Sequence, residues 1–417
     1  MEGKEGIEKV IKAQSLIQSI YLCVVLMLLI GSLFLLSDLK GKLLFHYDVL
    51  NDHLYQHLKL KDYYLENGRD LIDVKEYSYP QMGLNATSQV KSWGVYGMFH
   101  LRTTKSTFND DLNSFWKIKS HPNAMYILRT IDKGFALKYK GEVALNGSLM
   151  IPENSFNYNK LQAVVGSLSQ LFFKGSYVKA PLVLPKLKDK FKIPEVGDEF
   201  RFRESEINTS SLINSFQEPT IEILLDNKRL ENVQLYGNII IKSSRVIELD
   251  NTTKIDECII IAPRVVIKKG FKGNVQIQAT ESIEIEENVK LTAGTTLFLK
   301  ASGAKGLIQL GQNTVIDGNI ILIDDNSQTV TESFSKLVMF KNVQINGDVY
   351  CQGVSYLKGV INGHVYTSTV GTLVGNEESL NVISDVEINE PKLENRRGLQ
   401  MEEVDEASGY SIISKMY

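Results

Sequence analysis

Cysteine, proline, histidine and tryptophan are all scarce in this chain. Its three cysteines, Cys23, Cys258 and Cys351, are too few and too scattered for a disulfide framework. No CxxC pair is present, which removes the usual zinc and thiol-redox arrangements. An isolated Cys on a strand is expected to act as a small core residue. The formal net charge of −3 leaves no basic excess, so no nucleic acid is expected as a partner. There is no P-loop, no GxSxG and no HExxH, and the six histidines are scattered. Neither a cofactor nor a metal ion is expected. Proline is uneven as well as rare. Five of the nine lie between Pro152 and Pro219, and only Pro263 falls within 221–370.

The longest apolar run is Leu16–Ser37, which carries no charge. About 20 such residues make a helix that crosses a bilayer. No A-x-A cleavage site follows, so the run reads as a retained signal anchor with the lipid bilayer as partner over 16–37. Lys4, Lys9 and Lys12 precede it, while Lys40 and Lys42 follow, a marginal positive-inside bias. The short leading segment favours residues 1–15 in the cytoplasm and the bulk on the periplasmic or extracellular side. The plentiful Lys, Ile, Asn and Tyr look like an AT-rich bacterial genome, which points to a bacterial cytoplasmic (inner) membrane crossed once.

Beyond the span, Leu43, Tyr47, Leu50, Leu54 and Leu58 recur at helical intervals until Asn67-Gly68, a C-cap pair. A juxtamembrane helix over 38–68 is expected. His53 and His57, one turn apart without the Glu of a metalloprotease, are expected to face solvent. The run Lys12-Ala-Gln-Ser-Leu-Ile-Gln-Ser-Ile20 resembles the start of a type IV pilin or pseudopilin helix. Gln18 stands where that family has Glu, and no Gly-Phe processing site precedes it. The resemblance implies a place in a pilus- or secretion-like assembly.

Residues 88–150 alternate in strand fashion, and a β-rich domain over 69–185 is expected. Residues 186–220, densely charged and proline-marked, read as a loop or boundary. From 221 to 370 apolar pairs recur at intervals near 20 residues. One series is Ile239/Ile241, Ile259/Ile261, Val275/Ile277, Leu297/Leu299 and Ile320/Leu322. A second is Ile247/Leu249, Val265/Ile267, Ile283/Ile285 and Ile308/Leu310. This spacing predicts stacked rungs rather than a sandwich. A motif Φ-x-Gly-x-Φ, with Φ apolar, recurs at Gly237, Gly273, Gly318, Gly347 and Gly363. Ile-Asn-Gly-x-Val-Tyr itself occurs twice, from Ile345 and from Ile361. The apolar residues would face a narrow core, and the five glycines would turn its corners. Asn346 and Asn362 would help shape those turns. Residues 371–417, with Glu402, Glu403, Asp405 and Glu406, read as an acidic cap or tail.

These repeats resemble the parallel β-helix of bactofilins, bacterial scaffold proteins that form polymers. The resemblance implies self-assembly, although bactofilins are smaller, more even in their rungs and typically cytoplasmic. The expected fold class is mainly β: a long N-terminal transmembrane helix, a β-rich middle and a C-terminal parallel β-helix, or solenoid. The expected function is that of a single-pass membrane-anchored structural, scaffold or adhesion protein of the bacterial envelope, with protein partners or self-assembly. The alternative is a membrane-anchored polysaccharide-active β-helix enzyme. Its candidate catalytic residues are Asp324 and Asp325, with Asp317 one turn away and His364 further along, because a carboxylate pair can act as acid and base or bind Ca²⁺.

Overall fold

The computed structural model describes residues 2–67, 75–79, 83–105, 110–120, 124–157, 160–188, 190–206, 210–226, 229–301, 305–324, 335–375, 377–391, 398–402 and 410–416. The chain is mainly β, with one long apolar N-terminal helix. Met1–Asp62 and Tyr63–Tyr417 are two separate units.

The helix spans Glu2–Glu66 without interruption. No proline falls within it, and from Leu16 to Leu36 leucine, isoleucine and valine dominate. Every side chain of that run is exposed, so no apolar face is reserved for a core of its own. It is long and apolar enough to cross a membrane, as an anchor or a signal sequence would be. Asn67 closes its last turn: both its backbone N–H and its side-chain amide donate to the Tyr63 carbonyl. Contrary to expectation, His53 and His57 are buried.

An antiparallel sheet has the order Lys75–Tyr79, Leu84–Trp93, Tyr96–Lys105, Asp110–Ser120, Tyr410–Met416. Gly94, at φ 63°, makes the tight turn between the second and third strands possible. The last strand comes from the far end of the sequence and pairs Ile412 with Ile118.

The remaining large sheet is parallel almost throughout and is built from three columns of strands. In the first column Ile223 pairs with Ile241, then Ile260, Ile277, Leu297, Ile320, Val349 and Val365 in succession. In the second, Ile247 leads to Val265, Ile283, Ile308, Leu337, Ser355 and Val370. The third runs from Leu291 through Ile316, Ile345, Ile361 and Ile388. The chain visits the columns in that order and then moves one strand along. All of these side chains are buried, and apart from Ser355 they form one apolar cluster. Each turn buries only a few of them, so the core is continuous only because neighbours stack.

Two features depart from the expected pattern. Ile259 and Ile261 do not face the core; Cys258 and Ile260 do. In Cys258-Ile-Ile-Ile-Ala every residue is apolar, so alternation cannot tell inside from outside. Ile259 instead joins Trp93, Phe115 and Phe216 on the outer side. The second departure is topological. The sheet does not end at its last C-terminal strand, because Val365 pairs with Leu128 and Ile388 with Leu145. Leu128 then pairs with Leu149, and Leu149 with Tyr177. The segment that precedes the repeats therefore supplies the final turns. The stretch 69–185 divides between the two sheets, and the stretch 371–417 contributes strands to both.

Between these parts, residues 181–188 and 190–200 lie along the outside of the first column. Pro185 accepts a 3.0 Å hydrogen bond from the Tyr350 hydroxyl. Leu187 bridges to Met401, Phe191 packs on Phe298, and Lys192 bridges to Gly94. The stretch thus returns the chain from the final turns to the first.

Candidate functional site

Asp324 sits at the end of a strand, buried, and its carboxylate is engaged. Its Oδ2 accepts from the Ser335 hydroxyl at 2.7 Å, and its backbone N–H donates to Gln352 Oε1 at 3.1 Å. It thus bonds to the next described residue in the chain, Ser335. Asp325 lies outside the described residues, as does the rest of 325–334. Asp317 belongs to a different network, and His364 is paired with Asp348. The three described members of that group, Asp324, Asp317 and His364, therefore sit in separate hydrogen-bond networks.

The recurring motif organises the polar groups instead. Its first variable position forms a ladder across five turns. Asn346 donates to Asp317 at 2.5 Å, Asn362 to Asn346 at 2.8 Å, Asn389 to Asn362 at 3.0 Å, and Asn146 to Asn389 at 2.7 Å. Asn346, Asn362 and Asn389 each use one donor and one acceptor along the sheet axis, an arrangement only strands in register permit. Asn346 and Asn362 thus bond to each other across turns. A second, shorter ladder joins Asn288, Asn313 and Asn342, all at positive φ, where Asn is tolerated best after glycine.

The second variable position is buried. Asn319 Oδ1 accepts the backbone N–H of Asp348, and Asp348 Oδ1 accepts that of His364 at 2.8 Å. The His364 ring Nδ1 lies 2.9 Å from the same oxygen, while Asp348 Oδ2 accepts the Leu399 N–H. Burial pushes the Asp348 carboxyl up, but the imidazole and these N–H donors outweigh it and hold it below the usual carboxylate range.

The motif glycines provide space. Gly237 has positive φ, at 91°, but Gly273, Gly318 and Gly363 do not. A Cβ on Gly273 would stand 2.6 Å from the Ile255 carbonyl oxygen of the preceding turn. On Gly318, Gly347 and Gly363 it would fall within 3.0 Å of the Thr295, Gly318 and Gly347 carbonyls respectively. These positions sit where successive backbones approach most closely.

One charged contact joins the two sheets, where Lys117 is fully buried and pairs with Glu257. Glu257 also accepts from Asn274 at 3.0 Å and from Ser414 at 2.6 Å. Gln276 adds a two-way link, accepting from Val95 N–H and donating to the Trp93 carbonyl. The sequence offers no signal for this contact, because its members lie on strands far apart in the chain. The two thiols within the sheet are buried and unpaired with each other. Burial pushes Cys351 up to about 11 and Cys258 higher still, so neither is a nucleophile near neutral pH.

An open cleft of about 630 Å³ crosses the outer side of the third column, lined by Glu142, Gln170, Phe172, Gln344, Val360 and Asp385 among others. Compared with known proteins, the chain matches no family model, no curated protein and no solved structure. What it does has to be read from the arrangement itself.

Proposed function

We propose that this chain is a single-pass, membrane-anchored structural or adhesion protein of the bacterial envelope. Residues 16–37 hold it in the cytoplasmic membrane, and the bulk lies outside. On this reading the parallel sheet is a β-helix solenoid, a rigid body whose surfaces engage other envelope components or further copies of the chain. The observation that carries the reading is the division of labour within the repeat. Inward residues fill a core, glycines let turns approach, and the motif's polar side chains bond to the next turn. The most regular groups are thereby occupied with architecture, which suits a protein whose output is shape and reach. The bactofilin-like repeats and the pilin-like anchor point the same way, towards assembly.

The test is topology and retention. A C-terminal alkaline phosphatase fusion is expected to be active, and the chain to remain in membranes after alkaline carbonate washing. An inactive fusion on an intact chain, or release by carbonate, contradicts the proposal.

A further inference from the structure

The last turn of the parallel sheet differs from those before it. Among the described residues, strands Lys160–Ala163, Ser169–Lys174 and Tyr177–Lys179 have a parallel neighbour on one side alone. Apolar side chains stand out from this end. Leu168 is 100% exposed, Val165 94%, Leu182 78%, Val183 62% and Phe172 58%. Val165 and Leu168 occupy the connection between the first two strands, and Leu182 and Val183 follow the third. Single exposed apolar residues are ordinary, but five within 19 residues at one end of a sheet are a patch.

Charge is distributed with the same bias. From Lys160 to Lys188 the sequence has five lysines and no aspartate or glutamate. Lys174, Lys179, Lys186 and Lys188 are exposed. Lys179 bonds to Glu153, itself exposed, at 2.6 Å. Protruding apolar tips among cations are what a lipid surface with anionic headgroups accommodates. The tips enter the boundary with the acyl chains, and the ammonium groups stay at the phosphates.

We infer that this end of the sheet, residues 160–188, rests on an anionic bilayer surface, with Val165, Leu168, Leu182 and Val183 entering the headgroup region. The inference rests on the anchor reading above, which keeps a bilayer within reach of the sheet at high effective concentration.

The test uses the full chain, carrying Cys23→Ser, reconstituted in vesicles of phosphatidylcholine with or without phosphatidylglycerol. Leu168→Cys carries an environment-sensitive fluorophore, and Ile213→Cys, 73% exposed near the opposite end, is the control. The Leu168 probe is expected to shift blue and to be quenched by nitroxide lipids in anionic vesicles, while the Ile213 probe is not. Adding Lys174→Gln should lower the ratio of docked to free sheet about fivefold, the factor that one cation near an anionic leaflet carries. Equal quenching at the two positions overturns the inference, and so do disulfide-linked dimers formed by the unlabelled Leu168→Cys chain, which would assign the patch to a second copy. Carbonate release of the chain would remove the anchor reading and this inference together. Retention without quenching at Leu168 removes this inference alone.

Discussion

Gly363→Ala isolates the reason for the recurring glycine. The Cβ it adds would lie within 3.0 Å of both the oxygen and the carbon of the Gly347 carbonyl. Those are backbone atoms of the neighbouring turn, so no side chain can rotate away. Strands in a sheet are about 4.8 Å apart. Relieving the contact means spreading two turns by several tenths of an ångström along three columns of hydrogen bonds. Overpacking of this kind costs about 1–3 kcal/mol, and the fixed backbone places Gly363→Ala near the upper end. A loss of about 3 kcal/mol is a large share of the roughly 5–15 kcal/mol that holds a domain folded. The assay is the urea midpoint of the full chain in detergent, followed by the circular dichroism of the sheet. Gly134→Ala is the comparison: it has φ 81° but no heavy atom within 4 Å, so it carries backbone strain of about 1–2 kcal/mol and no clash. A tolerated Gly363→Ala would refute the close-approach argument, because Gly363 lies outside the positive-φ region and backbone freedom cannot be its reason.

Three further outcomes follow from the same contacts. Lys117→Met should cost about 3–5 kcal/mol by leaving Glu257 buried without its cation, and adding Glu257→Gln should recover much of that loss in a double-mutant cycle. Asn362→Ala removes a ladder member that both donates and accepts, so a loss of about 1–2 kcal/mol is expected in the same urea assay. Asp348 is held below the ordinary carboxylate range, so its stabilisation is complete above about pH 4 and disappears as pH falls through its depressed folded value. Wild-type stability should therefore drop below about pH 4 more steeply than that of Asp348→Asn; parallel curves would mean that the His364 contact contributes nothing.

Much of the parallel sheet was legible because its core residues repeat at short range. Ile345 and Ile361, the heads of the doubled motif, are direct register partners, and so are Ile247, Val265, Ile283 and Ile308 in succession. The uninterrupted helix was legible for a similar reason, since its apolar run and the Asn67 cap are local. What escaped depends on partners distant in sequence. Nothing near Leu128 says that it follows Val365, and nothing near Lys117 says that Glu257 will neutralise it. The ladder role of Asn346 and Asn362 escaped because Asn beside Gly is equally a turn signal. Asp324 looked reactive beside a second carboxylate, but Ser335, eleven residues later, takes up its oxygen. The parity of Ile259 and Ile261 failed where an all-apolar run erased the alternation.

One parallel winding continues from the C-terminal strands into Leu128–Arg129, Lys138–Asn146 and Leu149–Ile151. Ala144 and Glu387 are register partners on the outer side of that junction. In a chain carrying Ala144→Cys and Glu387→Cys, mild oxidation is the direct test. A disulfide within one chain is expected to form readily and to leave the urea midpoint no lower. Little or none is expected for Glu142→Cys with Glu387→Cys, two residues out of register. Efficient bridging of the out-of-register pair, or none in the registered one, would contradict the winding.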